Sequence, residues 1–181
     1  MRRPLDFSSA DFESAVAALP QTDWLRIVHK IRELGRVGSN GEPYIVTEYQ
    51  VPEFVGQMHM GVMPLVLMVE MANQSLLLLA RLIGACGKRD LAEARAVDSF
   101  ESHRFVRVGE ILTCRLTVLR SDEYCHRPML EALASLTVLR DGSLLKVATG
   151  IVCGRHIGSP ELLSRLLARD ERACRTHTSQ T

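Results

Sequence analysis

The sequence predicts an α+β domain in which one long apolar helix is wrapped by a curved antiparallel β-sheet. Residues 64–83 form a mostly apolar run that has the length of a helix. Four segments of alternating apolar and polar residues follow it, and Asp141-Gly142 separates the last two, which is a strong β-hairpin signal. A helix that is apolar on nearly every side needs a surface covering most of its circumference, and a curved sheet provides one. This arrangement is the hotdog fold.

The composition fits a single domain with a large core. The chain has 181 residues, of which 46% are hydrophobic and 24% are charged, and this balance excludes a disordered chain. Its 22 basic and 21 acidic side chains leave a net charge of +1. A chain so balanced has no overall field that recruits nucleic acid or an anionic membrane, so we expect neither as a partner.

Two further features indicate a cytoplasmic protein. The five cysteines show no paired spacing, which argues against a secreted disulfide scaffold and for a reducing compartment. The basic residues at positions 2 and 3 are not followed by an apolar segment, so we expect no signal peptide.

The apolar run also raises the alternative of a membrane span. Glu70, Asn73 and Gln74 lie in its middle, and one acidic residue at a bilayer centre costs about 2.5–3.5 kcal/mol. We therefore expect residues 64–83 to form the buried central helix of a folded domain and not a membrane span.

Short elements precede the long helix. A first helix is expected from about Ser9, with Asp11 as its cap and Pro20 after its end. The residues that share its apolar face are Phe12, Val16 and Leu19. Residues 24–34 fit neither a helical nor a strand period. Residues 35–43 are expected to form a turn or loop, 44–51 a strand, and 53–63 a loop.

Strands dominate after the long helix. Glycines at 84 and 87 are expected to close that helix. The predicted strands are 94–105, 111–120, 128–139 and 144–153, with turns at 107–110 and 140–143. A short amphipathic helix is expected at 159–169 and a disordered tail from 172. We thus divide the chain into an arm with a short helix (1–23), the hotdog domain (24–156) and a C-terminal helix with its tail (157–181).

Residues 24–154 resemble a known enzyme family. The resemblance is sharpest at Val62-Met63-Pro64, followed six residues after the proline by Glu70 and four residues later by Gln74. The segments 44–49, 99–109 and 134–154 are also similar to family strands and turns. The family is that of the bacterial 3-hydroxyacyl-[acyl carrier protein] dehydratases of fatty acid synthesis, including the decanoyl-type dehydratase/isomerase.

The resemblance implies dehydration of 3-hydroxyacyl thioesters to 2-enoyl thioesters in fatty acid or polyketide biosynthesis. The substrate would be held on the phosphopantetheine arm of an acyl carrier protein, with no further cofactor. Hotdog domains usually pair through open sheet edges, so we expect a homodimer or a heterodimer with a related dehydratase.

The chemistry of the residues agrees with this activity. Dehydration needs a base for the α-proton and an acid for the leaving hydroxide. Glu70 and Gln74 are one helical turn apart and share a face. Burial favours the protonated form of a carboxyl, which would allow Glu70 to be the acid. N–H groups at the helix start near Pro64 would stabilise a thioester oxygen.

The active-site loop departs from the family pattern. The family has a catalytic histidine eight residues before its Met-Pro proline, but that position is Gly56 here. Either His59 has taken the role after a three-residue deletion, or Gln57 occupies the histidine position. Leu65 replaces the glycine that follows Met-Pro in the family. We expect Glu70 and His59 as the catalytic residues. The expected substrate-binding residues are Gln57, Gly61, Pro64, Leu65 and Gln74.

These departures leave alternatives open. The chain could be a catalytically degenerate subunit that pairs with an active dehydratase, or a hotdog acyltransferase or thioesterase. Arg104 and Arg107, beside His103, form a basic patch expected to dock the acidic carrier protein and its phosphate. Cys125-His126 and Cys153-x-x-His156 lack the two-cysteine spacing of a zinc site, so we expect no metal.

Overall fold

A computed structural model describes residues 7–21, 25–58, 60–87, 90–124 and 127–158. Its elements, in chain order, are α1 (Ser9–Ala17), β1 (Lys30–Val37), β2 (Glu42–Gln50), α2 (Glu53–Met58), α3 (Leu65–Leu82), β3 (Leu91–Ser102), β4 (Ile111–Tyr124), β5 (Arg127–Arg140) and β6 (Ser143–Gly158).

The six strands form one antiparallel sheet around a single long helix. The strand order is β1-β2-β4-β5-β6-β3, so β1 and β3 are the two edges. Strand β3 follows α3 in the chain but pairs with β6, because α3 crosses one face of the sheet before the chain returns. The helix contacts β2, β3, β4, β5 and β6. The predicted helix and sheet are therefore confirmed.

The core lies between α3 and the sheet. In β4 and β5 alternate side chains are buried, and the inward set is Leu112, Cys114, Leu116, Val118, Leu130, Ala132, Ala134, Leu136 and Val138. Every residue of α3 from Gln74 to Ala80 is buried, which one sheet face alone does not achieve. Val16 and Leu19, in and just after α1, are buried in the same cluster and cover the other side of the helix.

This burial explains the strongly apolar character of α3. By length and a mean hydropathy of 1.5 the helix qualifies as a membrane span, but 56% of that stretch is buried inside the fold. The core position accounts for the apolar residues, as the sequence analysis favours.

The turns follow their residue chemistry. Asp141 and Gly142 have φ values of 51° and 75°, the pair of positive angles that a two-residue type I′ hairpin requires. The hairpin between β5 and β6 is thus confirmed. Gly84 has a φ of 79° directly after the C-cap Ile83, and ends α3 in the predicted way.

Several predicted boundaries were wrong. The cap of α1 is Ser8, and Asp11 is its partner in a capping box: the Ser8 hydroxyl accepts from the Asp11 N–H while the Asp11 carboxylate accepts from the Ser8 N–H. The predicted loop 53–63 contains the short helix α2, and the predicted loop 35–43 narrows to a turn at 38–41, because strand pairing continues on both sides of it.

Strand ends also differ. Strand β3 begins and ends three residues before its predicted bounds, and the long β4–β5 ladder extends to Tyr124 and Arg127. Backbone pairing carries these strands beyond the alternating pattern from which they were predicted. The predicted C-terminal helix at 159–169 and the tail from 172 lie outside the described residues.

Candidate functional site

Gln74 connects the central helix to the segment before β1. Its side chain is 1% exposed. The amide oxygen accepts from the N–H groups of Ile27 at 3.0 Å and Val28 at 3.1 Å. The amide nitrogen donates to the Leu25 carbonyl at 2.6 Å and to Glu70 Oε1 at 2.9 Å. All four hydrogen-bonding positions of the side chain are used, so Gln74 is a structural anchor that also orients Glu70.

Glu70 is half-buried, with its two carboxylate oxygens in different environments. Oε1 accepts from Gln74 and, at 3.2 Å, from Nε2 of Gln21. Oε2 accepts a hydrogen bond from none of the described residues. One oxygen is therefore held in place while the other is available to a ligand.

Gln21 is a site residue that the sequence analysis missed. It lies after α1 and is 49 positions from Glu70, so no local spacing joins the two. Arg26 Nη2 donates to the Gln21 carbonyl at 3.3 Å and steadies this part of the chain. A polar residue directly after the proline that ends a helix was the only available signal.

The start of α3 presents free backbone donors. Pro64 is the N-cap in an extended conformation, with φ −69° and ψ 150°. The Leu67 N–H bonds to the Pro64 carbonyl at 3.1 Å, whereas the N–H groups of Leu65 and Val66 bond to none of the described residues. The side chains of Leu65 and Val66 are 39% and 68% exposed. Both N–H groups are available to a substrate oxygen.

Backbone hydrogen bonds attach the segment before α3 to the turn after β3. Val62 forms an isolated antiparallel bridge with Arg107, and the Met63 N–H donates to the Val106 carbonyl at 2.8 Å. Gly61, with a φ of 82°, accepts from the Val108 N–H at 3.2 Å. Backbone hydrogen bonds therefore connect the segment before α3 with the turn that carries Arg107.

Arg140 and Glu110 fix that turn. Arg140 Nε donates to Glu110 Oε1 at 2.8 Å and Nη2 donates to Oε2 at 2.9 Å, a two-point ion pair. Arg140 Nη2 also donates to the Phe105 carbonyl, and Glu110 Oε2 accepts from the Arg107 N–H at 2.7 Å. Glu110 thus bonds to the side chain of Arg140 and not to the exposed side chains of Arg104 and Arg107.

These residues surround an open groove of about 600 Å³. Its lining residues are Val62, Ser102, His103, Arg104, Phe105, Arg107 and Arg140. The structure thus brings Arg104 and Arg107 together with His103 at the mouth of the α3 entrance. Glu70 does not line this groove.

The choice between His59 and Gln57 stays open. His59 and the side chain of Gln57 lie outside the described part of the chain. Three described histidines make other contacts. His29 meets the Tyr49 ring edge-on at 4.8 Å and burial lowers its pKa, His156 Nε2 lies 2.8 Å from Asp90, and His103 lines the groove. Among the described residues, no group of three metal-ligating side chains is brought together.

Comparisons with known proteins support the fold. No protein-family model and no curated protein matches the chain. The dehydratase heterocomplex ApeI:P from Xenorhabdus doucetiae matches with a TM-score of 0.61 and 14% identity, over 92% of this chain and 99% of that one. Zebra fish thioesterase superfamily member 2 matches with 0.59 and 14%, over 84% and 100%.

A third similar structure is the acyl-CoA hydrolase from Staphylococcus aureus in complex with butyryl coenzyme A, coenzyme A and coenzyme A disulfide. Its TM-score is 0.52 at 11% identity, over 76% of this chain and 94% of that one. Dehydratase and thioesterases therefore share this architecture with the chain, and the similarity does not single out the dehydratase family. The chain has the hotdog fold.

The Gln74→Leu substitution tests the anchoring role of Gln74. It leaves the Leu25 carbonyl and the Ile27 and Val28 N–H groups unpaired. A buried unpaired group costs about 1–3 kcal/mol, so we expect the free energy of unfolding to fall by at least about 2 kcal/mol. Urea unfolding measures this. Glu70→Gln is the matched control, because it keeps an acceptor for Gln74, and its unfolding midpoint should stay near that of the wild type. An unchanged midpoint for Gln74→Leu would contradict the anchoring role.

Proposed function

We propose that the chain acts on acyl thioesters and dehydrates 3-hydroxyacyl groups to 2-enoyl groups, with Glu70 as the acid. The observation that carries the proposal is the position of Glu70, whose Oε1 is held by two amides while Oε2 is open. It lies on the same helix as the free N–H groups of Leu65 and Val66. The proposed setting is fatty acid or polyketide biosynthesis.

The helix spacing suits this reaction. Glu70 is five residues after Leu65, which is about 7.5 Å along the helix axis at 1.5 Å per residue. That length accommodates a thioester oxygen at the helix start and a β-hydroxyl at the carboxyl, each within a hydrogen bond of its partner. The N–H groups of Leu65 and Val66 would stabilise the enolate-like oxygen as the α-proton leaves. The bulky side chain of Leu65 is partly exposed and does not remove its N–H.

The base is proposed to be His59 or a histidine of a second subunit. Gln57 has no proton-accepting nitrogen at neutral pH, so a chain with Gln57 at the histidine position would need a partner for turnover. One of the similar structures is the dehydratase heterocomplex ApeI:P. If a partner supplies the base, His59 has no catalytic part. The chain is then a supporting subunit paired with an active dehydratase.

Thioester hydrolysis is the second candidate function. It is favoured by the open Oε2 of Glu70, which can take a proton from an attacking water molecule. The similar structures reported above include an acyl-CoA hydrolase and a thioesterase. Both reactions use the same carboxylate and the same helix start, and they differ in whether the substrate needs a 3-hydroxyl group.

We propose that the groove lined by Arg104 and Arg107 receives an acidic carrier protein and the phosphate of its phosphopantetheine arm. Arginine binds phosphate and carboxylate groups with charge-assisted hydrogen bonds. The Val62–Arg107 bridge places this surface beside the start of α3, where the arm would deliver the thioester. This surface is the candidate partner site, and no cofactor beyond the arm is proposed.

Dimerisation and location complete the proposal. Strand β3 is an edge of the sheet and offers unpaired backbone groups to a second copy or to a related subunit. Cys86 and Cys114 are free thiols, and burial raises the pKa of the Cys86 thiol to about 11 and that of Cys114 to about 12. Free thiols suit a reducing compartment, so a cytoplasmic location is proposed.

Glu70→Gln tests the proposed acid. Replacing the carboxyl by an amide removes the transferable proton, and losing one general acid costs roughly 10²–10⁴-fold in turnover. We expect a decrease of that size in kcat for 3-hydroxyacyl thioesters, with an unchanged unfolding midpoint. Glu13→Gln, an exposed change on α1, is the control and should keep full activity. Turnover by Glu70→Gln at the wild-type rate would make Glu70 a structural residue.

His59→Ala tests the proposed base. If the isolated protein is active, we expect this substitution to abolish dehydration while folding is retained, and Gln57→Ala to have a small effect. The measurement is formation of the 2-enoyl thioester by the purified chain, alone and with a co-purified dehydratase-like partner. Activity that appears only with the partner and that His59→Ala does not reduce would assign the base to the partner.

The double substitution Arg104→Ala/Arg107→Ala tests the docking groove. A charge-assisted hydrogen bond contributes about 1.5–3 kcal/mol, so we expect KM for a carrier-bound substrate to rise at least about tenfold. The KM for a short thioester without the carrier protein should not change. Lys146→Ala, on the exposed side of β6, is the control. Equal effects on both substrates would place the two arginines outside carrier recognition.

A further inference from the structure

Two buried amide oxygens on side chains beside Glu70 accept a hydrogen bond from none of the residues that the structure describes. They are Oε1 of Gln21 and Oδ1 of Asn73. Buried polar atoms in folded proteins are nearly always paired, and an unpaired one carries a free-energy cost. Two such atoms close to one candidate catalytic carboxylate therefore indicate a ligand that supplies donors.

Both oxygens belong to side chains that flank the carboxylate. Gln21 donates its amide N–H to Glu70 Oε1 at 3.2 Å, so its own oxygen lies one amide group away from the carboxylate. Asn73 is three residues after Glu70 on α3 and projects from the same helix face. Glu70 Oε2, which accepts a hydrogen bond from none of the described residues, is the third acceptor of this group.

These three acceptor oxygens suit a hydroxyl group or a water molecule, because either can donate a hydrogen bond to them. We infer that Gln21 and Asn73 bind the 3-hydroxyl group of the substrate and the water that leaves from it, an inference that rests on the proposed dehydration. The hydroxyl donates its hydrogen to one of the amide oxygens. Its own lone pair is then free to accept the proton of the Glu70 carboxyl.

The step balances with the groups already named. The base takes the α-proton, the electrons of the Cα–H bond form the double bond, and the Cβ–O bond breaks with its electron pair on oxygen. The carboxyl proton of Glu70 moves to that oxygen, which becomes water. The two hydrogens of the water are then accepted by the Glu70 carboxylate and by an amide oxygen of Gln21 or Asn73.

The two amides thus have different roles. Asn73 binds the hydroxyl group and thereby selects substrates that carry one. Gln21 is in addition a positioning residue, because its N–H holds Glu70 Oε1 while Oε2 faces the reacting oxygen. Neither role follows from the resemblance described above.

Binding measurements test the inference without turnover. The Glu70→Gln protein, which should not consume substrate, is titrated calorimetrically with a 3-hydroxyacyl thioester and with the saturated acyl thioester of equal length. We expect the hydroxyl compound to bind more tightly by about tenfold, and Asn73→Leu to remove this preference without weakening the saturated compound. Gln21→Met should reduce the preference and also lower kcat in the Glu70-containing protein. Gln50→Met, an exposed change on β2, should alter neither.

Stability provides a second measurement. Asn73→Leu replaces an unpaired buried acceptor by an apolar group, so we expect the free protein to unfold at the same urea concentration or a higher one. A structural asparagine would instead give a lower unfolding midpoint. A lower midpoint, or equal binding of the two thioesters to the parent protein, would overturn the inference while dehydratase turnover still stands. Absence of both binding and turnover would instead reject the proposed function, and the inference with it.

Discussion

The Gln74 amide joins the central helix, the segment before β1 and the carboxylate of Glu70. It satisfies three backbone groups in the segment before β1, and its fourth hydrogen bond holds the carboxylate of Glu70. A buried amide with a missing partner would be costly, so the segment, the helix and the carboxylate are fixed together. The orientation of the candidate acid Glu70 therefore depends on the hydrogen bonds that hold the segment before β1 against α3. Gln21, which follows α1, bonds to the same Glu70 oxygen and so depends on the same hydrogen bonds.

The central helix serves two purposes along its length. Its residues from Gln74 to Ala80 are buried between the sheet and the residues of α1. Its N-terminal turn keeps Leu65 and Val66 partly exposed and leaves their N–H groups free. Packing at one end holds the helix in place, so that the polar groups near the other end keep their positions without contributing to the core. Asn73 Oδ1, an acceptor with no donor among the described residues, lies at the middle of the helix, between its buried part and its exposed first turn.

The sequence predicts the parts of this structure that depend on local periodicity. The long helix, the strand at β2, the later strands and the Asp141-Gly142 hairpin all follow from spacing and turn chemistry. The six-residue spacing from Pro64 to Glu70 also indicates the carboxylate. The pairing of Gln21 with Glu70 and that of Arg140 with Glu110 could not be predicted, since each joins residues 30 or more positions apart. The helix α2 is too short to show a period, and strand ends depend on the neighbouring strand.

The link between the proposed docking groove and the start of α3 also joins residues that are far apart in the sequence. The Arg140–Glu110 ion pair shapes the turn that carries Arg107, and Arg107 is bridged by its backbone to Val62, two residues before the N-cap of α3. A ligand in the groove would therefore contact a turn that backbone hydrogen bonds link to the start of α3, the proposed site of the thioester oxygen. These backbone hydrogen bonds fix the distance from the proposed phosphate site in the groove to the proposed thioester site at Leu65. A carrier-linked acyl chain of fixed arm length is the class of substrate that such a fixed distance suits.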